Sequence, residues 1–115
     1  MIRIVTESMS DFTQEEAKAA DLIVMPLPIR FGMEEYWDDG VSLTQDDFYA
    51  RLRVAKELPK TSQVPVEHYR KCFNRLLENP EDEVLVITGS SKLSGCYQSA
   101  CIAREECQDP ARVPV

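Results

Sequence analysis

The chain is 115 residues long, enough for one domain or part of one. Hydrophobic residues make up 43% and charged residues 29%, a globular balance that excludes a disordered chain. A net charge of −7 argues against nonspecific binding to nucleic acid or anionic membrane, both of which need a cationic surface, while still permitting a local site for a small anion.

Residues 1–6 lack the basic and long apolar stretches of a secretion signal. No run reaches the ~20 apolar residues of a membrane span, so a cytoplasmic setting is expected. Cys72, Cys96, Cys101 and Cys107 form no Cys-x-x-Cys pair and are expected to be reduced, packed thiols.

Residues 2–6 are apolar and β-branched apart from Arg3, and predict a strand. Thr13-Gln14-Glu15-Glu16 has the form of a capping box and predicts a short helix to about Ala20. After Asp21, residues 22–31 are apolar and extended, with Pro26 and Pro28 pointing to a sheet edge or strand end. Residues 32–40 predict an acidic hairpin or loop carrying Tyr36 and Trp37. Thr44 opens a second helix, with Asp46 and Asp47 where the helix dipole favours acids. Phe48, Leu52 and Ala55 form its stripe, and Pro59 ends it.

Pro65 suits the first position of a third helix, whose buried face is Val66, Tyr69, Phe73, Leu76 and Leu77. After the Asn79-Pro80 turn, Val84-Leu85-Val86-Ile87 is short enough for a buried parallel strand. A fourth helix carries Tyr97, Ala100, Cys101 and Arg104, and Pro110 ends it. Residues 113–115 begin a further extended run. This alternation implies an α/β layered fold, a mainly parallel sheet flanked by helices. A closing strand of three residues would pair poorly, so the natural protein is expected to continue and this chain to be a fragment.

Ligands of open α/β sheets bind beyond the carboxyl ends of the strands. Three polar clusters fall there: Thr6-Glu7-Ser8, Thr61-Ser62-Gln63, and the segment 89–95 that opens the fourth helix. A Ser or Thr ahead of a helix is most often just a cap. Helix entrances also present free N–H groups and a positive partial charge, which suit an anion.

An enzyme fits poorly. No Gly-x-Ser-x-Gly elbow is present, the lone His68 falls inside a helix, and a phosphate-binding loop would need Lys where Cys96 stands. His68 and Cys72 lie one helical turn apart and could share a metal ion, though packed thiols and a solvent-facing imidazole are the plainer reading. The acidic residues Glu34, Glu35, Asp38 and Asp39 read as a solvated loop. Neither metal nor cofactor is expected. A protein-interaction domain without a polar pocket is the alternative from a different class.

The clusters, in order, resemble the DegV family. Ile4-Val5-Thr6-Glu7-Ser8 is similar to its opening strand and Thr-Asp-Ser turn. Thr61-Ser62-Gln63-Val64-Pro65 resembles its Thr-Ser-Gln-Pro segment, and Ser94-Gly95-Cys96-Tyr97-Gln98-Ser99-Ala100 its Ser-Gly-Thr-Tyr-Gln-Ser-Ala motif. Glu7 replaces the usual Asp, Val64 separates Gln63 from Pro65, and Cys96 stands for a usual Thr. The resemblance implies a non-catalytic two-domain carrier that holds a long-chain fatty acid and in some relatives presents it to a fatty-acid kinase. It implies that Thr61 and Ser94 donate hydroxyls to the carboxylate, with Ser62 and Gly95 shaping the pocket. Residues 1–115 would be the amino-terminal part, with the second domain absent.

Overall fold

A computed structural model describes all residues, Met1–Val115. Strand β1 (Ile2–Glu7) lies between β2 (Leu22–Met25) and β6 (Glu83–Val86), giving a parallel sheet of order β2-β1-β6. Because side chains alternate across a strand, the register that pairs Val5 with Ile23 and Val86 assigns one apolar set to one face. There Val5, Met25, Val84 and Val86 join a core with residues of α3 (Val66–Leu76) and α4 (Cys96–Glu106), including Tyr69, Phe73, Cys96 and Ala100.

The opposite face holds Ile4 and Leu22 half-buried. Leu85 and Ile87 are 36% and 51% exposed. The apolar run 84–87 is therefore buried on alternate residues rather than throughout. Helix α1 (Gln14–Ala19) packs beside β2 and buries only Ala17. Its capping box is formed as expected: Thr13 Oγ1 accepts from the Glu16 N–H at 3.1 Å, and Glu16 Oε1 from the Thr13 N–H at 3.2 Å.

A second sheet, which the sequence pattern does not predict, stands beside the first. The extended stretch 22–31 divides: Leu22–Met25 stays in the parallel sheet, while β3 (Pro28–Phe31) pairs antiparallel with β4 (Glu34–Trp37) and β5 (Lys60–Thr61). Pro26 cannot donate to a ladder, and the following Leu27 N–H turns to Ser8 Oγ at 3.0 Å. Gly32, at φ +58, makes the tight turn into β4.

Helix α2 (Gln45–Val54) packs edge-on through Phe48 against Phe31 of β3, ring centroids 5.8 Å apart, and buries no residue fully. It ends five residues before Pro59; Ala55, expected in its stripe, is already extended at ψ 133. Pro65 likewise flanks α3 at ψ 141 instead of opening it, as an extended residue whose carbonyl starts the first turn.

Residues 113–115 form no strand. The segment passes through a 3-10 turn, Pro110–Arg112, buries Val113 and accepts one bond at Pro114 O from the Val86 N–H, 3.0 Å. The Arg112 guanidinium fastens it by donating to the carbonyls of Asn79 and Asp82 at 2.7 Å each.

Candidate functional site

The ends of the parallel strands carry the first polar cluster inward. Thr6, Glu7 and Ser8 are all buried. Ser8 is structural, since its hydroxyl accepts from Leu27 N–H where the chain leaves the parallel sheet. Glu7 is only 2% exposed, and its Oε2 has no hydrogen-bond partner. That oxygen lies under the loop after β6, 4.0 Å from where a Cβ on Gly89 would stand.

The loop after β6 is built by Ser90. Its carbonyl accepts from the N–H groups of Leu93 and Ser94 at 2.9 and 3.1 Å, and its hydroxyl accepts from the Lys92 N–H at 3.2 Å. This turn delivers Ser94 to the entrance of α4, where its Oγ accepts from the Cys96 N–H at 3.1 Å. That bond uses a lone pair of the hydroxyl, so accepting it is compatible with donating the proton elsewhere. Ser94 and Gly95 line an open cavity of about 540 Å³ with Ser91, Lys92, Leu93 and Tyr97.

Thr61 and Ser62 do not line that cavity. Both are exposed, and neither hydroxyl is engaged within the chain. Thr61 is held by β5, paired with Ile29, and the Ser62 N–H donates to Pro28 O at 3.2 Å. The two segments meet one step further along. The Gln63 side chain lies over Gly95, and the Val64 N–H donates to Cys96 Sγ at 3.4 Å. The loops bearing Thr61 and Ser94 are thus joined side by side at the head of α4.

Beneath this junction lies a polar floor that sequence patterning read only as core. Tyr69 is fully buried on α3; its hydroxyl stands near Cys96 and Glu7 yet makes no hydrogen bond of normal geometry. Burial above all, and then the nearby Cys96, push the Tyr69 hydroxyl far above its usual titration range. Burial also raises the Cys96 thiol, against the opposing pull of the Ser94 hydroxyl and the Val64 N–H. Ser99, one turn along α4, is a further buried hydroxyl without a partner. Tyr69 sits at core spacing on its helix, so only the tertiary meeting of α3, α4 and β1 reveals it as part of the floor.

The other residues considered for chemistry are absorbed by packing. The His68 ring packs against Trp37, centroids 5.0 Å apart, while Cys72 faces the core with its thiol raised by burial. Glu34 pairs with Arg51 at 2.8 Å, Glu35 pairs with Arg30, and Asp39 Oδ1 accepts from the Val41 and Ser42 N–H groups at 2.8 Å each. No helix is long and apolar enough to cross a membrane.

A sequence profile for a family described as "Uncharacterised protein, DegV family" matches residues 1–115. A DegV domain-containing protein of Halalkalibacterium halodurans is 41% identical over 102 residues, covering 89% of this chain and 36% of that protein. A fatty acid-binding protein of Thermotoga maritima is 35% identical over 119 aligned positions, covering 97% of this chain and 39% of its own length. Among solved structures, a DegV family protein from Thermus thermophilus described by its fatty acid binding superposes with a TM-score of 0.85 at 33% identity, over 99% of this chain and 39% of that one. A stearic-acid-binding protein from Eubacterium ventriosum gives 0.88 at 31% identity, over 100% and 40%. The chain spans between a third and two fifths of the length of the curated relatives it matches.

Proposed function

Since this chain belongs to the DegV family, we propose that it is the amino-terminal part of a non-catalytic carrier and holds a long-chain fatty acid by its carboxylate. Thr61 and Ser94 donate hydroxyls to the carboxylate, Ser62 and Gly95 shape its seat, and the Gly95 amide is a further donor. One observation carries this reading. Two hydroxyl-bearing loops, each at a helix entrance, are tied side by side through residues 63–64 and 95–96. Free N–H groups and the positive end of α4 add to the attraction for an anion. The fatty acids bound by relatives support the choice of anion.

Each hydrogen bond to a charged carboxylate contributes about 1.5–3 kcal/mol, whereas each buried methylene contributes about 0.8 kcal/mol. A tail with on the order of ten buried methylenes therefore outweighs two hydroxyls. The head group sets orientation and the tail sets affinity. The cavity beside Ser94 is open and lined largely by polar residues, so this chain offers the tail little apolar cover and binds the whole lipid weakly. Covering the tail falls to the second domain that the longer relatives suggest. Delivery to a fatty-acid kinase extends the reading and rests on the family resemblance.

Non-denaturing mass spectrometry of the delipidated chain titrated with stearic acid tests it. The expected result is one lipid per chain, bound more weakly than by the Thermotoga maritima relative. Failure to take up any stearic acid contradicts the assignment, as does equal affinity for the methyl ester, which lacks the anion.

A further inference from the structure

We infer that Gln63 is a positioning residue of the head-group site: its carboxamide occupies the space beside the Gly95 Cα and latches the loop of Thr61 and Ser62 to the loop of Ser94. The latch stands on geometry alone; its consequence for ligand rests on the carrier reading above.

Gly95 adopts φ −77 and ψ −1, an ordinary right-handed conformation open to any residue. Its backbone therefore does not call for glycine. Space does. A Cβ built there would overlap Gln63 Oε1 and come within 2.8 Å of Gln63 Cδ and 3.4 Å of Gln63 Cβ. The missing side chain of Gly95 is replaced by the end of Gln63, which comes from a different loop 32 residues earlier in the chain. The next pair repeats the relation, with the Val64 N–H donating to Cys96 Sγ at 3.4 Å. Consecutive contacts, 63 to 95 and 64 to 96, keep the two segments in register.

The inner pair is anchored, because Val64 and Cys96 are both fully buried. The outer residues are not. Thr61 and Ser62 are exposed and are otherwise secured only to β3, on the side of the second sheet. Gln63 is the link between these outer residues and the Ser94 turn. A carboxylate held by donors from both loops requires their separation to be fixed before it arrives, since ordering them on binding would cost affinity. The latch supplies that preorganisation.

The test uses Gln63→Ala, Gly95→Ala, the double variant and Gln63→Met, with folding checked by circular dichroism. The first readout needs no ligand: exchange of the Val64 amide proton by NMR. Exchange is expected to rise about fivefold in each alanine variant and no further in the double, because both remove the same contact. Gln63→Met, similar in length and volume, is expected to restore protection to within about twofold. The second readout is stearic acid affinity, expected to fall about fivefold in each alanine variant, again without addition in the double. Unchanged Val64 exchange in both single variants, or strictly additive effects, overturns the latch. A wild-type chain that shows the exchange pattern but takes up no stearic acid overturns the carrier reading instead, and with it the role assigned to Gln63 at a head group.

Discussion

Ser94 has two readings that sequence sets in competition, helix cap or ligand donor, and in the structure it stands one residue before the N-cap, Gly95, with its side chain folded onto the first turn of α4. Its Oγ accepts from the Cys96 N–H and lies against the Cys96 thiol, and its proton can turn from that weak acceptor to a carboxylate. Tyr69 presents the reverse case, a buried hydroxyl with no partner. A buried polar group without a hydrogen bond is costly, and removing it recovers that cost. Tyr69→Phe is therefore expected to raise stability by about 1 kcal/mol in urea unfolding, with the m-value unchanged. A loss of similar size would show that the hydroxyl is satisfied in solution. Local signals were legible at this scale: Thr13 and Glu16 sit three apart and fulfil the capping box in full. The pairing of Gln63 with Gly95 was not legible, because nothing in either segment records that a glycine of ordinary backbone geometry is reserved for a distant side chain.

Among the elements, those with a buried helical or strand periodicity were readable. α3 places Tyr69, Phe73 and Leu76 where the spacing puts them, and β1 and β6 lie where apolar β-branched runs predict. The second sheet was hidden because its strands carry little pattern. β5 is two exposed residues, defined only by pairing to Ile29 and Arg30, and β4 is two acids followed by two aromatics, with no alternation. The β3–β4 hairpin meets α2 through the Phe31–Phe48 ring contact and through an exposed polar cluster. The Tyr36 hydroxyl donates to Glu34 Oε2 at 2.6 Å, Arg51 pairs with the same oxygen, and the Arg51 guanidinium lies 4.7 Å from the Tyr36 ring centre. The Tyr36 hydroxyl bond first, and Arg51 second, hold the Glu34 carboxyl below its ordinary value of 4.5. The folded state thus binds that proton less readily than the unfolded chain. Its contribution is present above about pH 4.5 and is lost as pH falls through the lowered value. NMR shifts of Tyr36 and Arg51 are expected to move together in acid before the core unfolds, and Glu34→Gln is expected to abolish that early step. An acid transition unaltered by the substitution would contradict this account.

As a whole, the molecule is longer than a compact chain of its size. Its radius of gyration is 15.1 Å and its longest extent 49 Å, against about 13 Å expected for the radius of a compact domain. The buried cluster is centred on the parallel sheet with α3 and α4, and outside it only Ala17, Ile29 and Leu43 are buried hydrophobics, while α2 and β4 bury no residue fully. Amide exchange is therefore expected to be fast across residues 32–58 and slow in β1, α3 and β6, because local opening follows the density of buried contacts. Uniform protection along the chain would contradict that division. The exposed Leu85 and Ile87 belong to the same picture: the parallel sheet is covered on one face and only half covered on the other.

The central claim, that hydroxyls from two loops hold one carboxylate, is tested most directly by the preference for stearic acid over stearyl alcohol in the wild-type chain and in Thr61→Val and Ser94→Ala. The tail is common to both ligands, so only the head group is compared. The account predicts that the wild-type chain favours the acid and that each substitution lowers this preference by about tenfold or more, the value of one hydrogen bond to a charged group. Equal binding of acid and alcohol by the wild-type chain, or a preference that survives both substitutions intact, would contradict it.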